Sequence, residues 1–152
     1  MSMDKREFVV IDLDGTLCDS RHREQYARDK EWERFHSLLL QDKPWRDVQH
    51  LMDCLDFIGT TIVILTGRSE GWGAATNQWL LEHKIVGDTL LMRPEGDWRP
   101  DTELKPALLE KWMKESGCTK DDCLFIVEDR DKMVEEWRNR GYQCWQVRSG
   151  GY

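Results

Sequence analysis

Five short runs rich in β-branched residues, Phe8–Leu13, Thr61–Leu65, Thr89–Met92, Cys123–Val127 and Gln143–Val147, recur along the chain with helical periodicity between them. That alternation predicts strands joined by helices, and therefore a parallel sheet. The helical stretches carry Trp45, Val48, Leu51, Met52 and Leu55; Trp72, Ala75 and Trp79; Leu108, Leu109, Trp112 and Met113; and Met133, Val134 and Trp137. Apolar residues three or four apart give each stretch one face to bury. Pro106 suits a first helical turn and Gly141 a position just past a helix end. The expected architecture is a three-layer, doubly wound α/β domain. Between the first two strands, a further amphipathic segment around Trp32, Phe35, Leu38 and Leu39 predicts a small helical, cap-like insert at about residues 20–44.

Composition narrows the setting. The 152 residues suit one compact domain without disulfides, and no apolar run is long enough to cross a bilayer. The charged N-terminus has no secretion-signal pattern, so a cytoplasmic protein is expected. Five cysteines without a CxxC pair argue against a zinc cage or a disulfide framework and read as buried or incidental thiols. A formal net charge of -7 excludes a diffuse polybasic surface and leaves room only for a short, local nucleic-acid contact. Trp32, Trp79, Trp112 and Trp137 fall at apolar helical positions and are expected in the core.

In an open parallel sheet, ligands bind beyond the carboxyl ends of the strands. Here those ends are polar: Asp12-Leu13-Asp14-Gly15-Thr16, Thr66-Gly67-Arg68 and Glu128-Asp129-Arg130-Asp131. Carboxylates brought together from two strands repel one another unless a cation lies between them, and oxygen-only ligation suggests magnesium. A nuclease or a non-catalytic magnesium site would also contain such a cluster. Thr66, Arg68 and Lys105 decide for a phosphoryl group, because a hydroxyl, a guanidinium and an ammonium would orient and neutralise a phosphate dianion. Asp12 then suits a nucleophile at the metal, and Asp14 a proton donor to the leaving group and later a base. Gly15 permits the turn, whose exposed amides could cradle phosphate oxygens.

DLDGT, a strand ending in TGR, a later lysine and an acidic pair after FIV together resemble the haloacid dehalogenase superfamily of phosphatases. The resemblance implies Asp12 as nucleophile, Asp14 as general acid/base, Thr66 and Lys105 on the phosphate, and Glu128 with Asp129 completing a Mg2+ site begun by Asp12 and Asp14. RPDTELK and VEDRDKMVEEWRNRGYQCWQVRSGGY are further similar to the 3'-phosphatase domains of bacteriophage polynucleotide kinase-phosphatases. That similarity implies site roles for Arg23 and Asp101, and for Arg68 as a phosphate contact. The relative has aspartate where this chain has Glu128, and Asp129 is the expected inner metal ligand with Glu128 outside it.

The leading expectation is a 3'-phosphatase of polynucleotide ends or nucleotides. A phosphatase of mononucleotides or small metabolites is the alternative, with the insert closing over its substrate. A non-catalytic binding module is disfavoured, because Asp12 and Asp14 are both present. The glycines of GRSEGWG fit neither GxGxxG nor GxxxxGK[ST], so no kinase module is expected, and the four histidines have no paired metal spacing.

Overall fold

A computed structural model describes residues 6–150. Residues 1–5 and 151–152, the two ends of the stretch expected to form the domain, lie outside it. The strands β1 (Phe8–Ile11), β4 (Thr61–Ser69), β5 (Thr89–Arg93), β6 (Cys123–Arg130) and β7 (Cys144–Gly150) make one five-stranded parallel sheet in the order β5-β4-β1-β6-β7. The chain moves outward from β1 to one edge and then returns to build the other side. The strand order therefore reverses at β1, where the carboxyl ends open a crevice.

Alternation along the strands supplies two hydrophobic layers. Val9, Ile11, Ile62, Ile64, Phe125 and Val127 face one side, against Val48, Met52 and Leu55 of α3 (Arg46–Phe57) and Trp79 and Leu80 of α4 (Gly73–Glu82). Phe8, Val10, Val63, Leu65 and Ile126 face the other, against Leu109 and Met113 of α5 (Asp101–Ser116) and Met133, Val134 and Trp137 of α6 (Asp131–Asn139). The three-layer expectation is met. Between β1 and α3, the two-residue strands β2 (Cys18–Asp19) and β3 (Lys43–Pro44) pair antiparallel. They bracket the short helices α1 (Glu24–Arg28) and α2 (Trp32–Ser37). No helix among the described residues is long and apolar enough to cross a membrane.

Three details depart from expectation. Pro106 lies inside α5 rather than in its first turn, because the carbonyl of Pro100 accepts the amides of Glu103 and Leu104 and starts the helix at Asp101. The earlier start puts Asp101 and Lys105 one turn apart on the same face. Trp32 is 49% exposed and lies at a cavity mouth instead of in the core, since only Phe35 of α2 is buried. Trp112 is only partly buried and meets Phe8 edge to face, at 4.9 Å between ring centroids. Trp79 and Trp137 are fully buried, and Gly141 takes φ +87° just beyond α6, as expected. The five cysteines are free.

Trp79 and Trp137 differ in one respect that stability should report. Trp79 Nε1 donates to the carbonyl of Asp42 at 2.9 Å, whereas no described residue accepts the Trp137 Nε1 proton. Trp79→Phe therefore strands a buried acceptor, while Trp137→Phe removes a stranded donor. Denaturant unfolding should find Trp79→Phe more destabilising than Trp137→Phe by about 1–3 kcal/mol.

Candidate active site

The site begins where β1 stops. The Asp12 amide still donates to the Val127 carbonyl at 3.1 Å, and then the chain folds back on itself. The Leu13 carbonyl accepts the amides of Thr16, Leu17 and Cys18, and the Gly15 amide donates to the Cys18 carbonyl at 2.9 Å. The amides of Gly15 and Thr16 are thus committed within the turn and do not form the expected phosphate cradle. Gly15 has a different role: at φ +83° it lies against Asp129, and a Cβ there would overlap Asp129 Oδ2.

Asp12, Glu128 and Asp129 are all buried, and each offers an oxygen within 4.8 Å of the others. Lys105 Nζ donates to Asp12 Oδ1 at 2.8 Å and to Glu128 Oε2 at 3.0 Å. Thr16 Oγ1 lies 2.9 Å from Asp12 Oδ2 and 3.2 Å from Asp129 Oδ1, bridging the two strands. Burial first, and Glu128 next, push the Asp12 carboxyl up to about 7, against the opposing pull of Lys105. Burial and the charge of Asp12 likewise push Asp129 up to about 7. Burial alone would lower Lys105, but Asp12 and Glu128 hold it well above its ordinary value. Three carboxylates against one ammonium leave two negative charges (3 − 1 = 2), and the oxygen-only donor set fits a hard divalent cation.

The Asp14 carboxylate, expected with the metal-binding group, is held elsewhere. Arg68 grips it through Nη2 at 2.5 Å and Nε at 3.1 Å, and Arg23 Nη2 reaches the same Oδ1 at 2.5 Å. Burial would raise this carboxyl, but Arg68 and Arg23 override it and hold Asp14 far below the usual carboxylate range. Both arginines, expected to face phosphate, spend their donors on protein. Arg68 Nη1 also reaches Thr76 Oγ1, and Arg23 donates twice to Asp42 and once to the Phe35 carbonyl. Two buried guanidinium groups require two carboxylates, which Asp14 and Asp42 provide.

Asp12, Asp14, Thr66, Gly67, Arg68, Asp101 and Lys105 line one cavity of about 800 Å³. Gly15, Arg23, Glu128 and Asp129 do not line it, though each touches a group that does or packs beside one. Thr66 is buried at the cavity floor, where its Oγ1 accepts the Arg68 amide at 3.2 Å. Asp101 lies against Gly67, at which any Cβ would meet its carboxylate, and it binds Arg93 at 2.6 Å and Arg130 at 2.9 Å. Three participants had not been singled out from the sequence: Thr16, Arg93 and Asp42. Thr16 was readable within DLDGT. Asp42 has no local signal, and only the burial of Arg23 reveals the need for it.

Asp42 does not line the cavity, yet it neutralises Arg23 and accepts from His22 at 2.7 Å. Asp42→Asn leaves a buried guanidinium short of its counter-charge, and equilibrium unfolding should record a loss of about 3–5 kcal/mol. A loss below 1 kcal/mol would mean that the pair is not closed in solution.

The family model for the polynucleotide kinase PNKP phosphatase domain matches residues 6–152. Two solved chains from Pnkp1/Rnl/Hen1 assemblies, one described as an RNA repair complex, superimpose with TM-scores of 0.80 and 0.81 at 26% and 27% identity. They are matched over 100% and 99% of this chain, which spans 45% and 48% of their own lengths. A haloacid dehalogenase-like hydrolase from Streptococcus pneumoniae shares the fold at 13% identity, with a TM-score of 0.67 and coverage of 97% and 89% of the two chains. With Asp12, Asp14, Thr66 and Lys105 lining one cavity and Glu128 and Asp129 beside Asp12, this chain belongs to the PNKP phosphatase-domain family of haloacid dehalogenase phosphatases.

Proposed function

We propose that this phosphatase removes 3'-phosphate from nucleic-acid ends or nucleotides through an aspartyl-phosphate formed on Asp12. The observation that carries the mechanism is the position of Asp12 at the cavity, with Lys105 Nζ 2.8 Å from one of its oxygens and Thr66 lining the same space. An Asp12 oxygen attacks phosphorus and forms a new P–O bond as the ester P–O bond breaks. The departing sugar oxygen takes a proton from Asp14. Water then attacks the acyl phosphate, Asp14 accepts its proton, and inorganic phosphate leaves with Asp12 restored. As held by Arg23 and Arg68, Asp14 is ionised and ready for the second, proton-accepting half. To donate in the first half it carries a proton away from the guanidinium pair.

Asp12, Asp129 and Glu128 would hold Mg2+, which when bound supplies positive charge to the transferring phosphoryl oxygens. Glu128 already accepts from Lys105 and, through Oε1, from the Asp129 amide at 3.2 Å, which favours Asp129 as the nearer ligand. Lys105 and Thr66 bind the phosphate directly, whereas Arg23, Arg68 and Asp101 position groups around it. The family and its likeness to chains of an RNA repair assembly support a nucleic-acid end as substrate. The segment at residues 20–44 acts as a small cap, since Trp32, Phe35 and His36 line the cavity. Five free thiols suit the reducing cytoplasm.

A second reading, a mononucleotide or small-metabolite phosphatase, draws on the cavity volume of about 800 Å³, which lies in the small-ligand range. Phosphate release measured with Mg2+ across 3'-phosphorylated oligonucleotides, their 5'-phosphorylated counterparts and mononucleotides separates the two. The first reading expects the 3'-phosphorylated oligonucleotide to have the highest kcat/KM. Asp12→Asn should lower kcat by about a thousandfold or more with the unfolding midpoint nearly unchanged, because the nucleophilic charge is lost but little volume. Mg2+ should raise the unfolding temperature of the native protein, and Asp129→Asn should abolish that rise.

A further inference from the structure

The mouth of the cavity carries more aromatic surface than phosphoryl transfer requires. Trp32, Phe35 and His36 of α2 and Trp72, just before α4, form a continuous row: Trp32 meets Phe35 at 6.0 Å, Phe35 meets His36 at 5.1 Å and His36 meets Trp72 at 5.9 Å between ring centroids. A second segment of the rim, the loop between β5 and α5, presents Trp98 with 88% of its surface exposed. Exposed apolar residues also occur singly elsewhere, as at Phe57 and Leu81, but Trp32 and Trp98 both line the cavity that holds Asp12.

Trp98 sits on a braced loop. Arg93 Nη1 donates to the carbonyls of Asp97 and Arg99 at 3.0 and 2.6 Å, the Asp97 amide closes a turn on Pro94, and Arg99 folds its guanidinium onto Asp97 at 2.7 Å. A braced backbone fixes where the ring is anchored, so less freedom is lost when a partner stacks on it. His36, pushed down to about 4 chiefly by burial, is neutral at physiological pH and adds no charge to this wall.

The charges of the rim define what fits. Arg93 and Arg130, two cations, share the one carboxylate of Asp101, and Arg99 is paired with Asp97, so the described rim offers a local cationic spot rather than a long track. A long polyanion finds little to follow, in agreement with the net charge of -7. A ligand with one phosphate at the floor and flat π-faces near the mouth is matched instead, and the chemistry that joins these two features is a nucleotide.

Resting on the 3'-end reading above, we propose that Trp32 and Trp98 are stacking platforms for the unpaired bases at the end of the strand. Selection at this site then works through base stacking at the last one or two nucleotides rather than through backbone charge. Stacking on an aromatic side chain is tolerant of base identity, so the ends would be accepted with little regard to sequence.

The test compares two single-stranded, 3'-phosphorylated oligonucleotides of the same length, one ordinary and one whose last two sugars lack bases. For the native protein, KM for the abasic strand should be about tenfold higher, the range expected for a lost base–aromatic stack. In Trp98→Ala and in Trp32→Ala, KM for the ordinary strand should rise until the gap between the two strands falls to about twofold or less. Phosphate release from both strands with equal KM in the native protein overturns the platforms while leaving the 3'-phosphatase reading intact. A gap that persists undiminished in both variants overturns them as well. Release from neither strand, with glycerol phosphate still hydrolysed, overturns the 3'-end reading and the platforms with it.

Discussion

The whole site depends on compensating carboxylates that have been taken out of water. Around β1 the buried Asp12, Asp42, Glu128 and Asp129 and the half-buried Asp14 are opposed by the cations Lys105, Arg23 and Arg68. The deficit is not spread evenly. Asp14 and Asp42 balance Arg23 and Arg68, which makes one half neutral, and the remaining two negative charges fall on Asp12, Glu128 and Asp129 around Lys105. One half is closed and the other calls for a divalent cation. The upward push on Asp12 and Asp129 to about 7 expresses that demand, because without the cation the ionised forms are disfavoured.

Such crowding is possible only where the backbone gives way. The strands beneath the site are packed on both faces, so the charges can gather only at their carboxyl ends. Gly15 and Gly67 lack the Cβ that would strike Asp129 and Asp101, and each lets a carboxylate from a neighbouring element lie directly on the turn. The register shifts between Leu65 and Ser69 where β4 pairs β5, and between Glu128 and Arg130 where β6 pairs β7, the stretches that hold Thr66–Arg68 and Asp129. Regular pairing is interrupted where these polar side chains lie.

Much of this was legible in the chain. The short β-branched strand runs and the helix faces spaced by three or four residues pointed to the three layers, because in a doubly wound sheet nearly every apolar residue has one place to go. The ends of those strands carried the chemistry in plain view, since acidic, hydroxyl and basic residues recur at the ends of three separate apolar runs. What could not be read was pairing across distance. Arg23 and Arg68 look like phosphate ligands when each is taken alone, and nothing local shows that both converge on Asp14 or that Asp42 must answer Arg23. Trp32 misled for the opposite reason. Its helical spacing from Phe35 suggested a common buried face, but α2 has only two turns' worth of residues and buries only Phe35.

The arginine pair also couples the insert to Asp14. Phe35 belongs to α2, yet its carbonyl accepts from Arg23 Nη1 at 3.2 Å and its ring lies 4.2 Å from the same guanidinium. Trp32 at the cavity mouth touches that ring edge to face, and Arg23 in turn touches Asp14. A contiguous chain of contacts therefore runs from the exposed rim to Asp14, the carboxylate proposed to move the proton. Asp42 anchors the far side, where the insert rejoins the core through β3 and where Trp79 of α4 donates to its carbonyl. An insert held at both of these points keeps Arg23 fixed while its outer aromatic face remains exposed to whatever enters. The bond that holds Asp14 is thus made by the insert as much as by the sheet. In this arrangement the rim and Asp14 are parts of one packed unit, and a change in the packing of α2 bears directly on how firmly Asp14 is held.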